Sequence, residues 1–94
     1  MKKTLDSIET VLTGKWISQN GTVVADDVSK RIEYLIQSVL TETSSSDDGW
    51  DILYVDPSDG RFWELVHSES DSHGGGAPTL NNLSSLDAKK KYRI

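Results

Sequence analysis

The sequence predicts an α+β fold: a mostly antiparallel β-sheet of hairpins packed against one long helix, with a short helix near the C-terminal end. Three observations carry this. In the stretch from Asp26 to Leu40, Val28, Ile32, Leu35, Ile36, Val39 and Leu40 recur at helical spacing and form one apolar stripe. Two turn signatures, Asn20-Gly21 and Asp56-Pro57-Ser58-Asp59-Gly60, each separate β-prone runs. Ser84, with Asp87 three residues later, opens a last helical stretch through Ala88 to Tyr92.

Taken in order, Thr4 to Thr13 suits either a short helix through Leu5, Ile8 and Leu12 or a strand from Ile8 to Leu12, and the pattern does not choose. Lys15 to Ser18 and Thr22 to Ala25 flank Asn20-Gly21, whose residues tolerate the positive φ that a tight hairpin requires. Asp26 or Asp27 then caps the long helix, because a short carboxylate accepts from the free N–H groups of a first turn. Thr43 to Gly49 reads as a polar loop. Trp50 to Val55 and Arg61 to His67 read as paired strands around the Asp56–Gly60 turn, with bulky residues on both faces. One face is expected to lie on the helix. The other needs cover from a chain terminus or a partner, and an N-terminal segment is the expected cover. Ser68 to Pro78 reads as a long flexible loop, and Thr79 to Leu83 as a last short strand. In the final helix Lys89, Lys90 and Lys91 sit at the end where positive charge is favoured.

Ninety-four residues form one domain spanning 1–94, large enough for a single core but not for a deep cavity. With no cysteine, disulfides and thiolate metal sites are excluded, which fits a reducing compartment. Met1-Lys2-Lys3 resembles the start of a secretory signal, but Asp6 and Glu9 interrupt the apolar run that should follow. No run approaches membrane-spanning length. The chain reads as soluble and cytoplasmic.

The net charge is −5, and its distribution is uneven. Glu42 to Asp71 holds nine acidic residues against the single basic Arg61, so this segment carries −8 and the remainder +3. Such a segment repels phosphate, which excludes a nucleic-acid partner, and attracts a basic protein surface. A solvated surface that keeps a small domain soluble is the simpler reading.

Catalytic chemistry finds little support. His73-Gly74-Gly75-Gly76 has the form of an oxyanion-binding loop, but the G-x-S-x-G elbow that such a loop serves is missing, as are the Lys and Ser/Thr of a phosphate loop. His67 and His73, near Glu64, Glu69 and Asp71, match no HExxH or calcium-loop spacing. Asp47-Asp48 and Asp56 with Asp59 lie in loops, where water rather than burial sets their acidity. The expectation is a non-enzymatic protein with no catalytic, cofactor or metal site.

The succession TGKW (13–16), NGTVVADD (20–27), RIEYLI (31–36), GW (49–50), LYVDPSDGRFWEL (53–65), HGGGAP (73–78) and AKKKY (88–92) resembles the bacterial immunity protein 27 family over nearly the whole chain. The departure is at Val28-Ser29, where many members carry a cysteine. The resemblance implies a cytoplasmic antidote in a polymorphic toxin system, one that binds and blocks a cognate toxin domain delivered by neighbouring cells. It implies no particular binding residue. The charge pattern supplies candidates: Asp47, Asp48 and Trp50, Asp56 and Asp59 in the turn, and Glu69, Asp71 and His73 in the long loop. The alternatives are a small binding or adaptor module unrelated to toxins and a small hydrolase using the HGGG loop.

Overall fold

In the computed structural model, residues 2–67 and 76–94 are described. Seven strands and two helices follow one another as β1 (Val11–Thr13), β2 (Trp16–Gln19), β3 (Thr22–Ala25), α1 (Asp27–Ser38), β4 (Thr41–Ser45), β5 (Ile52–Val55), β6 (Phe62–His67), β7 (Pro78–Leu83) and α2 (Ser85–Tyr92). The fold is α+β with antiparallel pairing throughout: a five-stranded sheet ordered β1-β7-β6-β5-β4 and the separate hairpin β2-β3.

The hairpin forms around the Asn-Gly pair, with Asn20 at φ 54° and Gly21 at φ 77°, and delivers the chain to α1. Asp26 caps that helix, its carboxylate accepting from the Ser29 N–H at 2.8 Å. The Ser29 hydroxyl, and after it that N–H, hold the Asp26 carboxyl below the usual carboxylate range. The helix has medium length, 12 residues, rather than the long span the apolar stripe predicts. It stops at Ser38, where the N–H groups of Val39 and Leu40 both donate to the Leu35 carbonyl. Leu40 is nonetheless buried, because the turn out of the helix drops it into the same core. The following Thr41–Ser45, read in part as loop from its polar composition, pairs with β5 as an edge strand with a bulge between Glu42 and Ser44.

Strand alternation divides the β5-β6 hairpin between two cores. Tyr54, Trp63 and Leu65 pack with Leu12, Ile32, Leu35, Leu40 and Leu80 beneath α1. Leu53 packs on the opposite face with Ala88 and Tyr92, flanked by Phe62 and Leu83. The cover on this second face is therefore α2, not the N-terminal segment. Burial decides the exchange: Ala88 and Tyr92 are the residues of α2 that face inward, while Leu86 stays 63% exposed. A polar network fixes the helix there. The Tyr92 hydroxyl donates to the Glu64 carboxylate at 2.6 Å, and Lys91 bridges Glu64 at 2.5 Å and Asp51 at 2.9 Å. Burial, followed by the Glu64 carboxylate, raises the Tyr92 hydroxyl well above its ordinary value. Burial opposes the charge on Lys91, but its bonds to Glu64 and Asp51 outweigh this and raise the ammonium. At its start α2 is capped as its Ser84 signature predicts, Asp87 N–H donating to Ser84 Oγ at 3.1 Å.

The ambiguous N-terminal stretch resolves as a strap that ends in the edge strand β1. Two arginines hold it. Arg31 donates to the carbonyls of Lys2 and Thr4 and, through both terminal nitrogens, to Glu9 at 2.7 Å. Arg61 lies over the Trp63 ring, 5.0 Å from its centre, and donates to the carbonyls of Asp6 and Glu9 at 2.8 Å. The two-pronged bond from Arg31 lowers the Glu9 carboxyl to about 2. Gly14 closes the passage from β1 to β2. A Cβ there would collide with Ser29 Oγ and lie 2.8 Å from the Pro78 carbonyl, to which Gly14 N–H itself donates.

Two outcomes follow. Because the Glu9 carboxyl is depressed by folding, its stabilising share is present above pH 4.5 and lost as pH falls toward about 2. Urea titrations across that window should show a loss of stability that Glu9→Gln removes. Gly14→Ala should cost about 1–3 kcal/mol, read as an earlier urea midpoint with an unchanged slope.

Candidate partner-binding surface

The connection from β4 to β5 is built from short polar side chains that bond to one another. Ser46 Oγ donates to Asp48 Oδ1 at 2.5 Å, and the Trp50 N–H donates to the same oxygen at 2.9 Å. The Asp51 N–H reaches Ser46 Oγ at 3.1 Å, while the Gly49 N–H closes onto the Ser46 carbonyl at 2.9 Å with Gly49 at φ 77°. Asp, Ser and Gly are the residues that make such a turn, since short oxygens reach neighbouring N–H groups and glycine accepts the left-handed backbone. The Ser46 hydroxyl, then the Trp50 N–H, lowers the Asp48 carboxyl below its ordinary value. The loop is thus stapled internally, yet Asp47 and Asp48 remain exposed and Trp50 is 72% exposed.

The five candidate residues that are described do not converge. Asp47, Asp48 and Trp50 stand at one end of β5, and Asp56 and Asp59 at the other, with four strand residues, about 13 Å, between them. Glu69, Asp71 and His73 lie outside the described residues. Asp56 is only 1% exposed, and its carboxylate accepts from the Ser58 N–H at 2.9 Å and the Ser58 hydroxyl at 2.7 Å. Asp59 is exposed but paired: the Arg61 N–H and the Arg61 Nε both donate to it, lowering its carboxyl. Both aspartates thus have work inside the chain, shaping the turn and aiming Arg61 at the N-terminal strap.

Among the described residues, the −8 segment is accordingly not one anionic face. Asp51 and Glu64 are paired with Lys91, and Asp59 with Arg61. Glu42, Asp47 and Asp48 are exposed and have no ion pair among the described residues. Glu42 stands on β4 opposite Tyr54, whose hydroxyl burial first, and the Glu42 charge second, push up. Sequence reasoning did not select Glu42, because TETSS was assigned partly to a loop. The signal available was the alternation of β-branched threonines around it.

A second surface lies across the molecule. The β2-β3 hairpin leaves Trp16, Ile17 and Val23 partly in water, at 46%, 43% and 69% exposure. Between this hairpin, α1 and the ends of β6 and β7 runs an open cleft of about 270 Å³, lined by Trp16, Ile32, Ile36, Leu65, His67 and Pro78 among others. Among the described residues no three His, Cys, Asp or Glu side chains gather as a metal site would require. Nor is any helix among them long and apolar enough to cross a membrane.

These features define a small α+β protein whose chemistry lies in exposed charge and exposed aromatic surface. The chain belongs to the Immunity protein 27 family, whose model matches residues 18–84. It is an immunity protein by that membership, and the matched span runs from within β2 to the cap of α2. No curated protein and no solved structure matches it.

Since neither the Asp47 side chain nor the Trp50 ring takes part in the loop's bonds among the described residues, Asp47→Asn and Trp50→Ala should each change stability by no more than about 0.5 kcal/mol in urea. A larger loss would give these side chains a structural role.

Proposed function

We propose that the chain neutralises a cognate toxin domain of a polymorphic, contact-delivered system by binding it directly in the cytoplasm, without catalysis. The observation that carries this is the pair of exposed carboxylates Asp47 and Asp48, without an ion pair among the described residues, on an internally bonded loop with the exposed Trp50, and the exposed Glu42 farther along β4. A binding protein gains affinity from a surface that is already arranged, because little ordering remains to be done on association. Here the loop is ordered by Ser46 and Asp48 before any partner arrives. An aromatic side chain with most of its ring in water supplies an anchor that desolvates on docking. The like charges on this loop and along β4 select a cationic surface and repel an anionic one.

A toxin acting on an anionic substrate presents such a surface at its active site, and masking that face would block the reaction. Asp47, Asp48 and Trp50 remain as toxin contacts in this reading, joined by Glu42. Asp56 and Asp59 are set aside because their carboxylates are used within the chain. Glu69, Asp71 and His73 carry no part of the argument.

The test is affinity for the toxin domain encoded beside the chain's gene, measured by calorimetry at several salt concentrations. The triple variant Glu42→Lys, Asp47→Lys, Asp48→Lys should bind on the order of a hundredfold more weakly and show a flatter salt dependence. Asp59→Asn should lower stability by loosening Arg61 yet leave affinity intact. Unchanged affinity and salt slope in the triple variant would remove the acidic surface from recognition.

A further inference from the structure

We infer that the outer edge of β4 takes up an extended, basic segment of the toxin as a sixth strand of the sheet. This rests on the reading of the acidic surface given above and specifies how the partner is held. In the sheet order β1-β7-β6-β5-β4, β4 is terminal, so among the described residues one side of its backbone has no strand beside it. Ser46 N–H donates to the Asp51 carbonyl, and Ser45 stands opposite Ile52. Antiparallel ladders alternate, so the N–H and C=O of Ser45 point away from β5 and into water. Four of the five residues of β4 are exposed.

Proteins usually guard such an edge with lysine, proline, brevity or a cover. The sequence TETSS has no lysine and no proline, and its guard is one bulge and one carboxylate. The opposite edge, β1, is only three residues long. The side chains around the open edge also have a sign. Glu42 lies on β4 itself, and Asp47 and Asp48 follow directly from its end, all unpaired among the described residues. Backbone bonds supply affinity in strand addition, and flanking side chains supply selection. Here that selection favours lysine and arginine on the incoming strand.

The experiment is amide hydrogen exchange by NMR on the ¹⁵N-labelled chain, alone and saturated with the toxin domain encoded beside its gene, together with calorimetric affinities for two variants. The Ser45 amide should exchange freely in the chain alone and slow at least tenfold in the complex. Ser45→Pro removes only a donor that points outward, so it should weaken binding at least tenfold with the melting temperature held, while Ser45→Ala binds as the native chain does. A complex in which Ser45 stays unprotected overturns the inference while leaving the acidic-surface reading intact, as does native affinity in a folded Ser45→Pro. Should Ser45→Pro fail to fold, the exchange data on the native chain decide. Protection of Ser45 in the free chain that grows with concentration assigns the edge to a second copy and overturns it. Absence of any binding by the native chain removes the acidic-surface reading, and this inference falls with it.

Discussion

Strands β5 and β6 are apolar on both faces, and neither face can stay in water. Trp63, Leu65 and Tyr54 point one way; Leu53 and Phe62 point the other. Everything else in the molecule is arranged around that demand. Helix α1 covers the first face and α2 the second, while β7 and β4 flank the pair within the sheet. A helix as short as α2 would not hold alone in water. It holds because Ala88 and Tyr92 are buried and because Glu64, Lys91 and Asp51 bind its last turn to the strands beneath. Leaving Glu64 without those partners would strand a carboxylate that is only 7% exposed.

The same arrangement decides how charge is used. A run of acidic residues in the sequence is not an acidic surface until each carboxylate has been followed to its partner. Lys91 takes two of them, Arg61 takes one, and the turn at Ser58 takes Asp56. Those pairs serve cohesion. Among the described residues, what remains outward is narrower than the −8 count implies, and it lies on β4 and its exit loop. Charges held on an ordered strand and loop select a partner by geometry as well as by sign.

Much of this fold was legible in the residues. The stripe from Val28 to Leu40, the Asn20-Gly21 turn, the Asp56–Gly60 turn and the Ser84 cap all carry local chemistry that acts before tertiary contacts form, and each marks its element. What was not legible depends on tertiary pairing rather than on local chemistry. Thr41–Ser45 looks like loop until β5 is placed beside it, and the stretch before Thr13 has no preference until β7 and the two arginines claim it. The choice of α2 over the N-terminal segment as cover was likewise a matter of which apolar residues faced inward. Of the candidate contacts, Asp47, Asp48 and Trp50 kept an exposed position. Asp56 and Asp59 bond within their turn and to Arg61, partners that a turn signature does not specify.

Arg31 and Arg61 grip the N-terminal strap chiefly by carbonyl oxygens, at Lys2, Thr4, Asp6 and Glu9. Every residue has that oxygen, whatever its side chain. The strap can therefore drift in sequence, one substitution after another, without loosening, so long as the two guanidiniums and the carboxylate of Glu9 persist. Related chains should differ freely in the wording of this segment while keeping its path, and their resemblance there would be visible in backbone traces before it was visible in letters.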